Sequence, residues 1–191
     1  CSEQDALVFP QLDMRLSYAE LDRLVDRAAR ALIALGFKKG DHIGCWATNI
    51  PAWPVVQLAT ARIGVVFVTI NPAYRASELA YVLKQGDIAA LFLADQFKSS
   101  DYHAILAEVC EELAAAKEGT VESKAFPKLR RVVNMRGETP ATMLDWDAFL
   151  ALGDTVSDEA LAQAGEGLKP SEAVNIQYTS GTTGFPKAAT L

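Results

Sequence analysis

Between Thr179 and Lys187 the chain reads TSGTTGFPK. Thr179, Ser180, Thr182 and Thr183 bring four hydroxyls, each able to donate a hydrogen bond. Gly181 and Gly184 permit positive φ and let a ligand come close to the backbone. Successive N–H groups in such a turn form an anion-binding nest. Pro186 stiffens the exit, and Lys187 adds one cation on a long arm. Many donors, little bulk and a single charge suit an oxygen-rich polyanion, of which a nucleotide triphosphate is the obvious example. The spacing is not that of a Walker A loop, because five positions after Gly181 stands Pro186, where that pattern needs a second glycine. The G-x-G-x-x-G fingerprint is absent as well. From the residues alone two readings stay open: a phosphate-binding loop, or a Gly/Thr hairpin turn that carries a solvated lysine.

Other chemistry-bearing residues are sparse. Cys1, Cys45 and Cys110 are odd in number and widely spaced, with no C-x-x-C, so neither a disulfide framework nor a zinc site is expected. His42 and His103 stand alone and read as surface or core residues. Trp46 and Trp53 read as packing residues, Tyr74 and Arg75 as loop packing and a solvated charge, and the acidic stretch over 108–118 as a solvated helix face. A net charge of −6 argues against a nucleic-acid surface. No apolar run is long enough to span a bilayer. Three scattered thiols fit the reducing cytoplasm, with peripheral membrane attachment left open. The opening residues lack Met, a basic segment and an apolar segment, so both ends read as cut sites rather than natural termini.

The elements that must position the loop follow from periodicity. In 191 residues, half of them hydrophobic, a sizeable core is possible. Ser17 and Glu20 have capping-box spacing, and Tyr18, Leu21, Leu24, Val25, Ala28, Leu32 and Leu35 make one stripe, which predicts a helix over 17–35 closed by Gly36. HIGCWA, VVFVTI, IAALFLA, LRRVVNM and AVNIQYT read as five strands, the second and third apolar enough to be buried on both faces. Helices are expected over 51–62, 77–85, 102–117, 142–152 and 158–164, with an exposed polar connection over 119–126. Alternating strands and helices predict an α/β fold, a mostly parallel sheet flanked by helices on both faces. Ligands in such sheets bind beyond the carboxyl ends of strands, which is where AVNIQYT delivers the loop.

YTSGTTGFPKAATL resembles the signature loop of the adenylate-forming, AMP-binding ligases: acyl-CoA synthetases, luciferases and peptide-synthetase adenylation domains. Two segments upstream, FKKGDHIGCWATNIPAW and residues 59–92, resemble the same family in the same order, and INPAYRASEL is most similar to the medium- and long-chain fatty acyl-CoA synthetases. The resemblance implies that ATP and a carboxylate give an acyl-adenylate and pyrophosphate, and that the acyl group then passes to coenzyme A. It implies that Thr179, Ser180, Gly181, Thr182, Thr183 and Gly184 hold the β- and γ-phosphates and that Lys187 neutralises them. It also implies that residues 1–191 are the first part of a large N-terminal AMP-binding domain that stops just after this loop. The adenine pocket, the Mg2+ carboxylate, the ribose aspartate and the C-terminal domain with its catalytic lysine would then lie downstream. No catalytic residue and no metal ligand is assigned within the chain, and the chain alone is expected to be inactive. Where the family has glycine after the lysine, this chain has Ala188, which would cost about 0.5–1 kcal/mol if the position needs positive φ.

A non-catalytic nucleotide-binding or dimerisation module, an aryl- or amino-acid-activating ligase, and a phosphotransferase stand as alternatives. Residues 180–191 are expected to be held by a symmetry-related or partner chain, through strand addition or tail exchange, giving self-association.

Overall fold

The computed structural model describes residues 2–179 and 186–191. An antiparallel hairpin, β1 (Asp5–Phe9) and β2 (Met14–Ser17), leads into α1 (Tyr18–Ala34). The chain then runs through β3 (His42–Trp46), α2 (Ala52–Arg62), β4 (Val66–Thr69), α3 (Ala76–Gln85) and β5 (Ile88–Leu93). A second small hairpin, β6 (Gln96–Phe97) and β7 (Ser100–Asp101), precedes α4 (Tyr102–Val109). There follow β8 (Arg131–Asn134), β9 (Leu144–Asp145), α5 (Trp146–Gly153), α6 (Asp158–Gly165), β10 (Asn175–Thr179) and β11 (Lys187–Thr190). One sheet takes the order β11-β10-β4-β3-β5-β8-β9, parallel throughout except for the antiparallel β10–β11 pair. The doubly covered, mostly parallel sheet expected from the sequence is what forms.

Strand alternation sorts the core into two layers. Phe67 of β4 meets Trp53 of α2 edge-on at 5.0 Å, and Phe92 of β5 meets Phe149 of α5 the same way at 5.1 Å. Those contacts put α2 and α5, with α1 between them, on one face. On the other face Trp46 of β3 stacks on Tyr102 of α4 at 3.7 Å. β5 is buried along its whole length, as its unbroken apolar run requires.

α1 starts with the capping box anticipated from Ser17 and Glu20: the Ser17 hydroxyl accepts from the Glu20 N–H while the Glu20 carboxylate accepts from the Ser17 N–H at 2.8 Å. That backbone donor holds the Glu20 carboxyl below its ordinary pKa. Gly36, at φ +78°, ends the helix as a left-handed residue that only glycine adopts without strain. Tyr18 departs from the expected stripe. It is the first residue of the helix and 56% exposed.

Four expectations are corrected. The helix expected over 102–117 stops at Val109, and residues 111–115 form a 3-10 turn. The cause is Glu112, whose carboxylate accepts from the Lys124 N–H at 2.9 Å and the Ser123 hydroxyl at 3.0 Å, so this acidic stretch is not simply solvated. The 119–126 connection is therefore not exposed throughout: Val121, Ser123 and Phe126 are buried. The helix expected from residue 142 begins only at Trp146, because Leu144 and Asp145 first pair with Val133 and Asn134, and Asp145 then caps the helix. Finally, residues 187–191 are held by their own chain. Thr179, Tyr178, Gln177 and Ile176 face Lys187, Ala188, Ala189 and Thr190 in register, and the Leu191 N–H donates to the Asn175 carbonyl at 2.9 Å. The β10 edge that a partner strand was expected to fill is already filled by β11.

Two packing details give sharp tests. Gly153 closes α5 directly over α1, where an added Cβ would collide with the Arg27 carbonyl oxygen. Gly153→Ala is expected to lower stability by about 1–3 kcal/mol through overpacking, seen as a lower urea midpoint; an unchanged midpoint would show that the α1–α5 contact yields freely. The Tyr178 hydroxyl is buried with no hydrogen-bond partner among the described residues, and burial pushes its pKa up to about 12. Tyr178→Phe is therefore expected to leave stability unchanged or to raise it by up to about 1 kcal/mol. The wild type should also lose stability as pH rises above about 10, where an unfolded tyrosine ionises and the buried one does not, and the variant should be spared that share. A clear loss of stability in Tyr178→Phe at neutral pH would reveal a partner for the hydroxyl.

Candidate functional site

Three neighbouring parallel strands, β10, β4 and β3, end side by side, and their carboxyl-end turns wall an open cleft of about 640 Å³. The β3–α2 turn contributes Thr48 and Asn49, and the first turn of α2 contributes Trp53. From β4 and its turn come Thr69, Asn71 and Pro72, and from β10 comes Tyr178.

The β4–α3 turn is fixed from beneath by two aromatic donors. The Trp46 indole N–H donates to the Asn71 carbonyl at 3.2 Å, and the Tyr102 hydroxyl donates to the Pro72 carbonyl at 2.6 Å. These two rings are the stacked pair of the core, so the turn is fastened to fully buried side chains. Above them the Asn71 side chain accepts from the Ala73 N–H at 2.9 Å, an Asx turn that closes the corner. Burial pushes the Tyr102 pKa up to about 12, which keeps its hydroxyl a donor.

Of the residues singled out in the sequence, Thr179 and Lys187 are described here. They face each other across the β10–β11 ladder, both exposed, with the Thr179 hydroxyl donating to the Lys187 carbonyl at 3.4 Å. Asn175 is in register with Phe67, so every second residue, Gln177 and Thr179, projects on the Trp53 side of the sheet. Lys187, directly opposite Thr179, shares that side. Ser180, Gly181, Thr182, Thr183 and Gly184 lie outside the described residues. The strands that flank this stretch pair antiparallel as β10 and β11, at the carboxyl end of β10. Ala188 sits opposite Tyr178 in β11 and is not among the positive-φ residues, so the expected strain does not arise.

The remaining candidates serve the fold. His42 Nδ1 lies 2.7 Å from the Gly86 carbonyl, and His103 Nε2 lies 3.0 Å from Asn134 Oδ1. Burial raises the pKa of the Cys45 and Cys110 thiols, which leaves them poor nucleophiles. Arg75 precedes α3 with its N–H donating to Glu78 at 3.1 Å. Among the described residues no cluster of His, Cys, Asp and Glu has the shape of a metal site, and no helix is long and apolar enough to cross a membrane.

Thr48 escaped the sequence reading, Asn49 and Asn71 counted only as a helix opener and a strand breaker, and Trp53 only as a packing residue. Each follows an apolar strand run, a position that carries ligands in parallel sheets. What was lacking was the strand order, which alone brings the turns after β3 and β4 beside the end of β10.

Comparison with known proteins agrees with this architecture. The model of the AMP-binding enzyme family matches residues 1–191. The medium-chain acyl-CoA ligase ACSF2, mitochondrial, of Homo sapiens is 42% identical over 190 residues, covering 99% of this chain and 31% of its own length. The crystal structure of the anthranilate CoA ligase AuaEII in complex with anthranoyl-AMP superposes with a TM-score of 0.78 at 17% identity, over 99% of this chain and 32% of that one. The Mycobacterium tuberculosis fatty acyl CoA synthetase superposes with a TM-score of 0.67 at 21% identity, over 98% and 31%. The chain thus spans about a third of the length of the relatives it matches. The family model's match over residues 1–191 shows that this chain belongs to the AMP-binding enzyme family.

Proposed function

We propose that this chain is the first part of the N-terminal AMP-binding domain of an ATP-dependent fatty acid–CoA ligase, and that residues 179–187 hold the β- and γ-phosphates of ATP. The observation that carries the reading is the mounting of the hydroxyl- and glycine-rich stretch. Thr179 and Lys187 stand in register at the carboxyl end of β10, where parallel sheets place their ligands. The 42% identity to a medium-chain acyl-CoA ligase supports a fatty acid as the carboxylate.

In this reading Thr179, Ser180, Thr182 and Thr183 donate hydroxyl hydrogen bonds to phosphate oxygens. Gly181 and Gly184 leave the backbone N–H groups open to them. Lys187 balances the charge that accumulates on pyrophosphate as the carboxylate attacks the α-phosphorus. ATP supplies the leaving group, and coenzyme A accepts the acyl group in the second half-reaction. The described cleft contains no carboxylate, so Mg2+ would be held by groups beyond this chain. The setting that fits the thiol content is cytoplasmic, and the chain alone makes no complete ligase.

Two experiments on the full-length enzyme test this. Lys187→Ala is expected to slow adenylate formation by roughly 100- to 1000-fold, the scale of a lost transition-state donor, and to leave thioester formation from preformed acyl-adenylate far less affected. An equal loss in both half-reactions would refute the phosphate role of Lys187. Gly181→Val and Gly184→Val are expected to abolish ATP binding in calorimetry without lowering the melting temperature, since a β-branched side chain resists positive φ and blocks close approach. Wild-type ATP affinity in both variants would favour a plain hairpin turn.

A further inference from the structure

Resting on that reading, we propose that Asn49 is a second phosphate-binding residue, reaching from the β3–α2 turn to the pyrophosphate end of the nucleotide. Four observations lead there. First, β3 and β10 are separated only by β4, so the two strands run about 10 Å apart, two strand spacings, and the turn after β3 and the exit of β10 open on one cleft. Second, the residues that line the cleft between them include no Asp or Glu, although the chain has 24 acidic side chains. The cleft is thus a place where an anion meets no repulsion at close range.

Third, the polar side chains of the cleft differ in how far they are already used. The Thr69 hydroxyl donates to the Ile176 carbonyl at 3.3 Å, and the Asn71 Oδ1 accepts from the Ala73 N–H, which turns that side chain into its own corner while its NH2 and the Thr48 hydroxyl keep donors of their own. Asn49 is exposed, and none of the side-chain hydrogen bonds among the described residues involves its amide. Fourth, the backbone that carries this amide is held in place on both sides. It sits between buried Ala47 and buried Ile50, with the Ile50 N–H donating to the Thr48 carbonyl at 2.9 Å and the Trp53 N–H to the Ile50 carbonyl at 3.1 Å. The turn opens α2, whose amino end has no side-chain cap and carries the positive end of the helix dipole toward the same cleft. A carboxamide there donates to phosphate without adding a charge that would slow pyrophosphate release.

The test is the reverse reaction of the full-length enzyme, in which acyl-adenylate and pyrophosphate give ATP. Asn49→Ala is expected to raise the KM for pyrophosphate by about ten-fold, the value of a hydrogen bond to a charged group, and Asn49→Asp by more, through repulsion. Thioester formation from preformed acyl-adenylate should be unchanged in both, and melting temperatures should match the wild type. A second measurement on the full-length enzyme is titration with sodium tripolyphosphate, which should shift the Asn49 side-chain amide and Trp53 indole resonances, with the indole shift lost in Asn49→Ala. If Lys187→Ala weakens pyrophosphate binding and the Asn49 variants do not, Asn49 is a solvated surface amide and the inference fails while the phosphate reading stands. If neither residue affects pyrophosphate binding, both fall.

Discussion

β4 is four residues long, Val66 to Thr69, and both of its edges are paired. On one side His42, Ile43, Gly44 and Cys45 of β3 face it in register; on the other, Asn175, Ile176 and Gln177 of β10 do. Its Val and Phe side chains are buried above and below the sheet. A strand so enclosed leaves no unpaired backbone in the interior and admits no slip, because a shift of one residue would turn Phe67 away from Trp53 and carry Thr69 into the opposite layer. The carboxyl ends of β3, β4 and β10 are therefore fixed relative to one another before any turn residue makes a contact of its own.

The aromatic side chains convert that register into a shaped surface. Trp46 and Tyr102 are among the largest fully buried side chains, and buried polar atoms of this kind need partners. They find them in the Asn71 and Pro72 carbonyls, so the same two rings fill the core and hold the floor of the cleft. On the opposite face Trp53 plays a related part. It packs edge-on against Phe67 while the rest of its ring is left at the cleft wall. Hydrophobic packing and site geometry are here one set of contacts, which is why the cleft is polar at its surface and rigid beneath.

Several ion pairs tie the helices and loops together at some distance from the cleft lining. Arg62 pairs with Asp22 and Asp26 to tie α2 to α1, Arg27 pairs with Asp154, and Lys39 with Glu172. These pairs are largely solvent-exposed, so each contributes little to stability. An overall charge of −6 is compatible with a cleft whose lining carries no carboxylate.

What the sequence determined by itself was the local grammar. The capping box of α1, the left-handed Gly36, the continuous apolar runs of β4 and β5 and the hydroxyl- and glycine-rich stretch after Tyr178 are all set by neighbours within a few residues, so periodicity and residue type suffice to read them. Three things only the tertiary structure decided. Glu112 broke a helix that local propensity favoured, because its carboxylate had better partners in Ser123 and Lys124. Residues 187–190 became a strand because β10 offered an open edge within reach of the same chain. And Asn49, unremarkable in a helix-opening turn, came to line a cleft because β4 inserted between β3 and β10. Each of these outcomes depends on contacts between residues far apart in the chain, and such contacts leave no periodic trace in the sequence between them.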